Sequence, residues 1–193
     1  TFTKFKRIVR DLAKQLDKPI NLVIKGEDTE LDRSIIESLS DPLVHLIRNC
    51  ADHGLEDAST RIGQGKDRVG TVWLQARHEG GQVVITVEDD GKGIDAGKVK
   101  AKAVANNVIS QTEADAMGEN EAAKLIFHPG LSTADAVTSL SGRGVGMDVV
   151  KSTFEKLGGA IDLETNLGSG TKVMIHLPTT LTIMSSLIVR IEG

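Results

Sequence analysis

The chain predicts a two-layer α/β sandwich, a mixed and largely antiparallel sheet covered by helices on one face. Three observations predict it. Two pairs of alternating apolar and polar segments flank short glycine turns, so each pair reads as a β-hairpin. Segments with apolar residues at helical spacing lie before, between and after those hairpins. The order of these elements lacks the regular βαβ rhythm of a doubly wound parallel sheet, so the helices collect on one side of a mixed sheet. With 193 residues, 39% of them hydrophobic, the chain suits one domain with a sizeable core.

Phe5, Ile8, Val9, Leu12 and Leu16 recur at helical spacing and predict an amphipathic helix over residues 3–16. Lys18-Pro19 ends it. Residues 20–25 alternate as a strand, and Gly26-Glu27-Asp28 is a turn. Ile35, Leu39, Leu43, Leu46 and Ile47 form the apolar stripe of a second helix over residues 31–53. Pro42 is expected to bend or restart it, and Gly54 to cap its end. Residues 63–70 read as a polar connection. Residues 71–77 and 82–88 form the first hairpin around Glu79-Gly80-Gly81. Residues 95–127 carry helical stretches broken by Asn106-Asn107 and Gly118, and residues 128–140 read as a loop. A helix follows over residues 146–157, ending at Gly158-Gly159. Residues 160–165 and 171–177 make the second hairpin around Gly168-Ser169-Gly170. After Pro178, the apolar run at 181–191 reads as the beginning of a following domain.

Bulk properties exclude several functions. A formal charge of −4 leaves no basic footprint for a nucleic acid. Aromatic residues make up 3% and tyrosine is missing, which argues against stacking single-stranded bases. No apolar run of about 18 residues is long enough to span a membrane, and residues 1–10 lack the apolar centre of a signal peptide. The single cysteine, Cys50, cannot form an intramolecular disulfide and fits a reducing cytoplasm. It sits among apolar helix positions and reads as packing rather than as a nucleophile.

Chemistry concentrates in two glycine loops and one helix face. The first loop, Val87-Glu88-Asp89-Asp90-Gly91-Lys92-Gly93-Ile94, follows a strand and offers a carboxylate. Such a group accepts from the amino group of adenine, and the glycines let the backbone pass close beneath a flat base. Asp-Gly is also a common hairpin turn, but the residues after Ile94 read as a helix and not as a returning strand. The second loop, Ser141-Gly142-Arg143-Gly144-Val145-Gly146-Met147, opens a helix, where unpaired N–H groups and a partial positive charge suit phosphates. No strand precedes it and no acidic residue marks a ribose position, so it is not a dinucleotide fingerprint. The Gly-Lys-Ser/Thr ending of a Walker loop is absent too. On the 31–53 helix, His45, Arg48, Asn49 and either Asp52 or His53 share a face, which is either solvated surface or a site. The amide oxygen of Asn49 is a hard ligand suited to Mg²⁺.

Together these segments resemble the boxes of the histidine-kinase ATP-binding domain, the Bergerat-type fold. Asp41-Pro42-Leu43-Val44-His45-Leu46-Ile47-Arg48-Asn49-Cys50-Ala51-Asp52-His53-Gly54 is similar to the N box. The two loops are similar to the two glycine boxes, and Phe127-His128-Pro129-Gly130-Leu131-Ser132-Thr133 to the F box. Gly168-Ser169-Gly170-Thr171 resembles the last glycine-threonine element. The histidine before Arg48-Asn49, the Asp52-His53-Gly54 ending and the run through Asp148-Val149-Val150-Lys151 resemble the chemotaxis histidine kinases in particular, and residues 177–183 their junction into a coupling domain.

The resemblance implies ATP and Mg²⁺, with γ-phosphoryl transfer to a histidine on a separate phosphoacceptor domain. It implies that Asp89 holds adenine, that Thr171 backs that carboxylate, and that Asn49 ligates Mg²⁺. His45 and Arg48 would attend the γ-phosphate, and Lys98 the phosphates from the side. Gly142, Arg143, Gly144, Val145, Gly146 and Met147 would line a phosphate lid. Asp52, His53, Gly91, Gly93, Ile94, Ser132 and Thr133 complete the nucleotide-binding set, and His128 receives no role. Residues 1–16 would be a linker from a dimerisation domain, 17–178 the kinase domain, and 179–193 the start of a truncated coupling domain. The full-length protein would be a cytoplasmic homodimer, meeting a coupling adaptor, chemoreceptors and response regulators. The isolated domain would be a monomer, with neither nucleic acid nor inserted membrane as a partner. A competing reading is a hydrolytic switch of the gyrase or heat-shock chaperone type. Those use a glutamate on the N-box helix, where this chain has His45 and no glutamate near Asn49. A third reading is a nucleotide-gated interaction module without catalysis.

Overall fold

The alternation in residues 71–77 and 82–88 builds the centre of the sheet. Strands β2 (Gly70–Glu79) and β3 (Gln82–Asp89) pair antiparallel, from Val72 against Asp89 to Glu79 against Gln82. Gly80 and Gly81 turn the chain with φ of 58° and 76°, the two positive values a tight hairpin needs. The computed structural model describes residues 3–26, 29, 33–131 and 146–179. Within them the second predicted hairpin also forms, as β4 (Ala160–Asn166) and β5 (Gly170–Pro178). β5 joins antiparallel to β3. β1 (Ile20–Lys25) joins β2 in parallel at one edge. The order is β1-β2-β3-β5-β4, a mixed five-stranded sheet.

Register decides which side chains share a face. Leu22, Val72, Asp89, Thr171 and Thr165 stand in one row across the sheet. The next row on that face is Ile24, Leu74, Val87, Val173 and Leu163. This face meets α1 (Thr3–Gln15), α2 (Arg33–Asn49) and α7 (Met147–Lys156), whose Phe5, Val9, Leu39, Leu43, Val150 and Phe154 complete the core. Helices α4 (Ala96–Ala105), α5 (Gln111–Ala116) and α6 (Glu119–Lys124) lie between Asp89 and the F-box segment. On the opposite face Gln75, Thr86 and Met174 form one row. Thr86 is 2% exposed, and its hydroxyl has no hydrogen-bond partner among the described residues.

Three expectations are corrected, and one element is added. Pro42 neither bends nor restarts the second helix, because α2 runs unbroken through it. Pro42, Leu39, Leu43, Leu46 and Ile47 are all buried. At about 1.5–3 kcal/mol per buried large aliphatic side chain, that packing outweighs the roughly 3 kcal/mol cost of an internal proline. The helix does not continue as α-helix to His53. It becomes a π turn over Cys50–Gly54, closed by Leu55 N–H donating to Cys50 O at 2.7 Å. Gly54 is not a left-handed cap, since the turn ends on extended Leu55 with φ −72° and ψ 134°. Finally, a short helix, α3 (Ala58–Gly63), stands just before the expected polar connection. Asp57 caps it, accepting from Thr60 N at 2.9 Å and Thr60 Oγ1 at 2.7 Å. The apolar run at 181–191 lies outside the described residues, and no helix within them is long and apolar enough to cross a membrane.

Candidate nucleotide site

β3 ends on Asp89, and its alternation turns that carboxylate onto the helix-covered face. Asp89 is 4% exposed. One oxygen, Oδ1, accepts from Gly91 N at 2.9 Å. Burial pushes the carboxyl up to about 6, against hydrogen bonds from Gly91, Cys50 and Thr171 that favour the charged form. Thr171 faces Asp89 across the β3–β5 register, and Thr165 Oγ1 lies 3.2 Å from Thr171 Oγ1. Thr165 also accepts from Ile94 N at 2.9 Å, so one hydroxyl joins β4, β5 and the first glycine loop. Burial, then the Asp89 charge, raise the Cys50 thiol well above its usual range. Cys50 therefore packs as a thiol beneath the carboxylate.

The glycines of this loop have a nearer reason than a flat base. A Cβ on Gly91 would sit 2.2 Å from the carbonyl oxygen of Gly54. Gly93 has φ +72°, and a Cβ there would meet Asn166 O at 2.3 Å. Lys92 N donates to Gly54 O at 3.0 Å, and Lys92 O accepts from Gly168 N at 2.7 Å. The loop is thus threaded between the π turn and the β4–β5 turn, with backbone against backbone on both sides.

α2 carries the polar face. Asn49 Nδ2 donates to Met147 Sδ at 3.0 Å, tying the N box to the first residue of α7. His45 is half-buried, and its pKa is lowered by burial first, then by Arg48 and His53. Arg48, Asp52 and His53 are exposed, with His53 Nε2 3.8 Å from Asp52 Oδ2. The carbonyls at the end of the π turn are satisfied from another element. Lys18 Nζ donates to Ala51 O, Asp52 O and Leu55 O at 3.0, 2.9 and 2.8 Å. That ammonium does the work expected of a Gly54 cap. Lys98 is exposed, 3.7 Å from Asp95 Oδ2. Gly146 caps α7 with no side-chain hydrogen bond, so no cap side chain takes the first N–H groups of that helix. Ser132, Thr133, Gly142, Arg143, Gly144 and Val145 lie outside the described residues.

The structure thus gathers Asp89, Gly91, Gly93, Ile94 and Thr171 at one end and His45, Arg48 and Asn49 with His53 at the other. The sequence reading missed Arg61, Glu56, Lys66 and Lys18. Asp57 with Thr60 three residues on was a helix-start signal that would have placed Arg61. Among the described residues no group of three or more His, Cys, Asp or Glu could hold a metal. A cation held by one amide oxygen, phosphate oxygens and water is what this donor set suits. With Nδ2 of Asn49 on the Met147 sulfur, Oδ1 is the atom a metal would take.

Residues 38–181 match the family described as histidine kinase-, DNA gyrase B- and HSP90-like ATPase. The chain is 49% identical over 191 residues to the sensor histidine kinase CheAY of Helicobacter pylori, covering 99% of this chain and 24% of that protein. It is 48% identical over 191 residues to the chemotaxis protein CheA of Bacillus subtilis, covering 99% and 28%. It thus spans about a quarter of the length of these relatives. The histidine kinase domain of the Erythrobacter litoralis EL346 blue-light activated histidine kinase is similar in fold, with TM-score 0.52 at 17% identity, over 90% of this chain and 58% of that one. The sheet order, Asp89 on its helix-covered face and the family match over residues 38–181 agree: the chain belongs to the histidine kinase-, DNA gyrase B- and HSP90-like ATPase family.

Proposed function

We propose that this domain binds Mg-ATP and transfers the γ-phosphoryl group to a histidine on a separate phosphoacceptor domain, in chemotaxis-type two-component signalling. One observation carries the reading. A buried carboxylate, Asp89, closes the core face, with its Oδ1 fixed by Gly91. A buried carboxylate costs free energy that each further donor offsets, and the adenine amino group is such a donor.

Phosphoryl transfer needs positioning and charge neutralisation more than covalent chemistry. Asn49 would hold Mg²⁺ through Oδ1, and the ion when bound neutralises phosphate charge. Arg48 supplies a permanent positive charge. His45 is kept neutral near pH 7 by burial and by the Arg48 and His53 charges, so it serves as a hydrogen-bonding or proton-handling group at the γ-phosphate and not as a cation. Asp52, His53, Lys98 and the α7 N-terminus at Gly146 and Met147 frame the phosphates. Residues 132–145 would supply the lid, with Ser132, Thr133, Gly142, Arg143, Gly144 and Val145 closing over them.

In this reading residues 17–178 are the kinase domain, 1–16 lead from a dimerisation domain, and 179–193 enter a coupling domain. The whole protein would be a cytoplasmic homodimer working with a coupling adaptor, chemoreceptors and response regulators. The test is incubation with γ-labelled ATP and an isolated histidine-bearing phosphoacceptor domain. Label on that histidine supports the kinase reading. Phosphate release without transfer would support a hydrolytic switch.

A further inference from the structure

The most heavily bonded buried charge lies outside the set of residues that the boxes name. Arg61, on α3, is 1% exposed. Its Nε donates to Asp67 O at 2.7 Å, and its Nη1 to Glu56 Oε2 at 3.2 Å and Asp90 O at 3.1 Å. Its Nη2 donates to Asp90 Oδ2 at 2.8 Å. Lys66 works beside it, reaching Glu56 Oε1 at 2.8 Å, Asp90 O at 3.1 Å and Gly91 O at 2.7 Å. Two cations and two carboxylates thus close one partly buried network.

The targets of this network decide its meaning. Asp90 and Gly91 are the two residues after Asp89. Asp90 N donates to Thr71 O at 3.2 Å, and Asp90 Oδ1 accepts from Thr71 N at 2.9 Å. Gly91 N donates to Asp89 Oδ1 at 2.9 Å. Every N–H and C=O of Asp90 and Gly91 is therefore bonded, and three of these bonds come from Arg61 and Lys66. The peptide that fixes Oδ1 of Asp89 cannot turn without breaking them. Burying ions is a poor route to stability, since well-packed apolar groups of similar volume do as well or better. Its yield is geometric. A planar guanidinium fork on Asp90 sets both the position and the rotation of the loop.

We infer that Arg61 is a positioning residue that, through Asp90 and Gly91, holds the Asp89 carboxylate in the orientation adenine requires, and so sets the preference of the site for adenine over guanine. The inference rests on the reading of Asp89 as the adenine acceptor. Arg61 comes from the segment that leaves the π turn, and the same segment supplies Glu56. The N-box end of the site thereby holds the base end in place.

The test measures ATP and GTP affinities of the full chain by calorimetry, for wild type, Arg61→Lys, Asp89→Asn and the double variant. Arg61→Lys keeps the charge and removes the fork. It is expected to weaken ATP about tenfold, the scale of one charge-assisted hydrogen bond, with GTP affinity unchanged. In the Asp89→Asn background the same substitution should add nothing to the loss. Equal losses for ATP and GTP, or additive losses in the double variant, would show a merely structural clamp and overturn the inference while Asp89 keeps its role. If Asp89→Asn alone leaves ATP affinity intact, the adenine reading falls and the inference with it. Should Arg61→Lys fail to fold, Asp90→Asn loosens the same grip from the loop side and is judged by the same outcomes.

Discussion

At the proposed base end of the site, Asp89 is buried and the backbone groups of the next two residues are all bonded within the protein. At the proposed phosphate end, Arg48, Asp52, His53 and Lys98 stand exposed. The base end is organised before any ligand arrives. The charges at the exposed end contribute little through surface ion pairs by themselves. The difference teaches where each function lives. On the proposed reading, rigid geometry would select the base, and solvated charge would meet the phosphates.

The largest expected effect separates chemistry from binding. His45→Ala should lower phosphotransfer by about 10²-fold or more, the scale of a lost proton-handling group, while ATP affinity changes little. Initial transfer rates and calorimetric Kd measured on one preparation decide it. Comparable losses in both would make His45 a binding residue.

Asp89→Asn tests the rigid end. The amide oxygen can keep the Gly91 N–H, which leaves its NH₂ facing the adenine amino group, donor against donor. ATP affinity should drop about ten- to a hundredfold. The pH dependence has opposite signs for folding and for binding. The folded pKa of about 6 lies above the ordinary 3.8, so this group favours folding below about pH 4 and loses that contribution as pH rises through 6. Asp89→Asn should therefore be more stable than wild type at pH 7, by of the order of 2 kcal/mol. Adenine needs the carboxylate, so wild-type ATP affinity should weaken as pH falls through about 6, and the variant should show no such step. Thermal melts and pH-dependent titrations check both. A wild-type affinity that stays flat down to pH 5 would remove the titrating carboxylate from the site.

Asn49→Ala sharpens the contrast from the other end. It should erase the part of ATP affinity that depends on Mg²⁺ and change metal-free binding less, because the base contacts stay. A variant that still gains affinity with Mg²⁺ as wild type does would place the metal elsewhere.

The smallest effect lies away from both ends. Thr86 buries a hydroxyl without a hydrogen-bond partner among the described residues. Thr86→Val keeps its shape and removes that polar atom, so stability should rise by about 1 kcal/mol with ATP affinity unchanged. Chemical denaturation measures it.

Local chemistry made both hairpins legible, since alternation and glycine turns act within a few residues. The stripe of α2 was legible for the same reason. Its passage through Pro42 was not, because burial of the surrounding leucines is a tertiary effect. α3 spans too few residues to show a period, and only its cap announced it. At the proposed site, the sequence picks out Asp89, Asn49 and His45 as residue types in a pattern and the boxes name them, while their roles are what the variants above test. Arg61 was not legible, because Asp90, the partner that ties it to the site, lies across the fold on the loop after β3, at no spacing that a motif encodes. The π turn was invisible for a related reason. It depends on Lys18, which arrives from before β1 to take the carbonyls that a helix end leaves open.

The sheet order has a kinetic consequence. β2 with β3 and β4 with β5 are hairpins, and closing them orders only a short turn. The other two pairings are long-range: Ile20 finds Gly70, and Asp89 finds Thr171. Loop-closure entropy sets these later. The first closure carries α2 onto the sheet as the crossover between parallel strands, and the second brings Asp89 beside its threonines. A chain caught between the two stages has its hairpins and no binding site, so nucleotide cannot speed the early steps of folding. It acts only after the last strand has docked, by slowing the return. Pulsed hydrogen exchange should show the two hairpins protected before β1, with ATP lengthening the unfolding time and leaving the folding time unchanged.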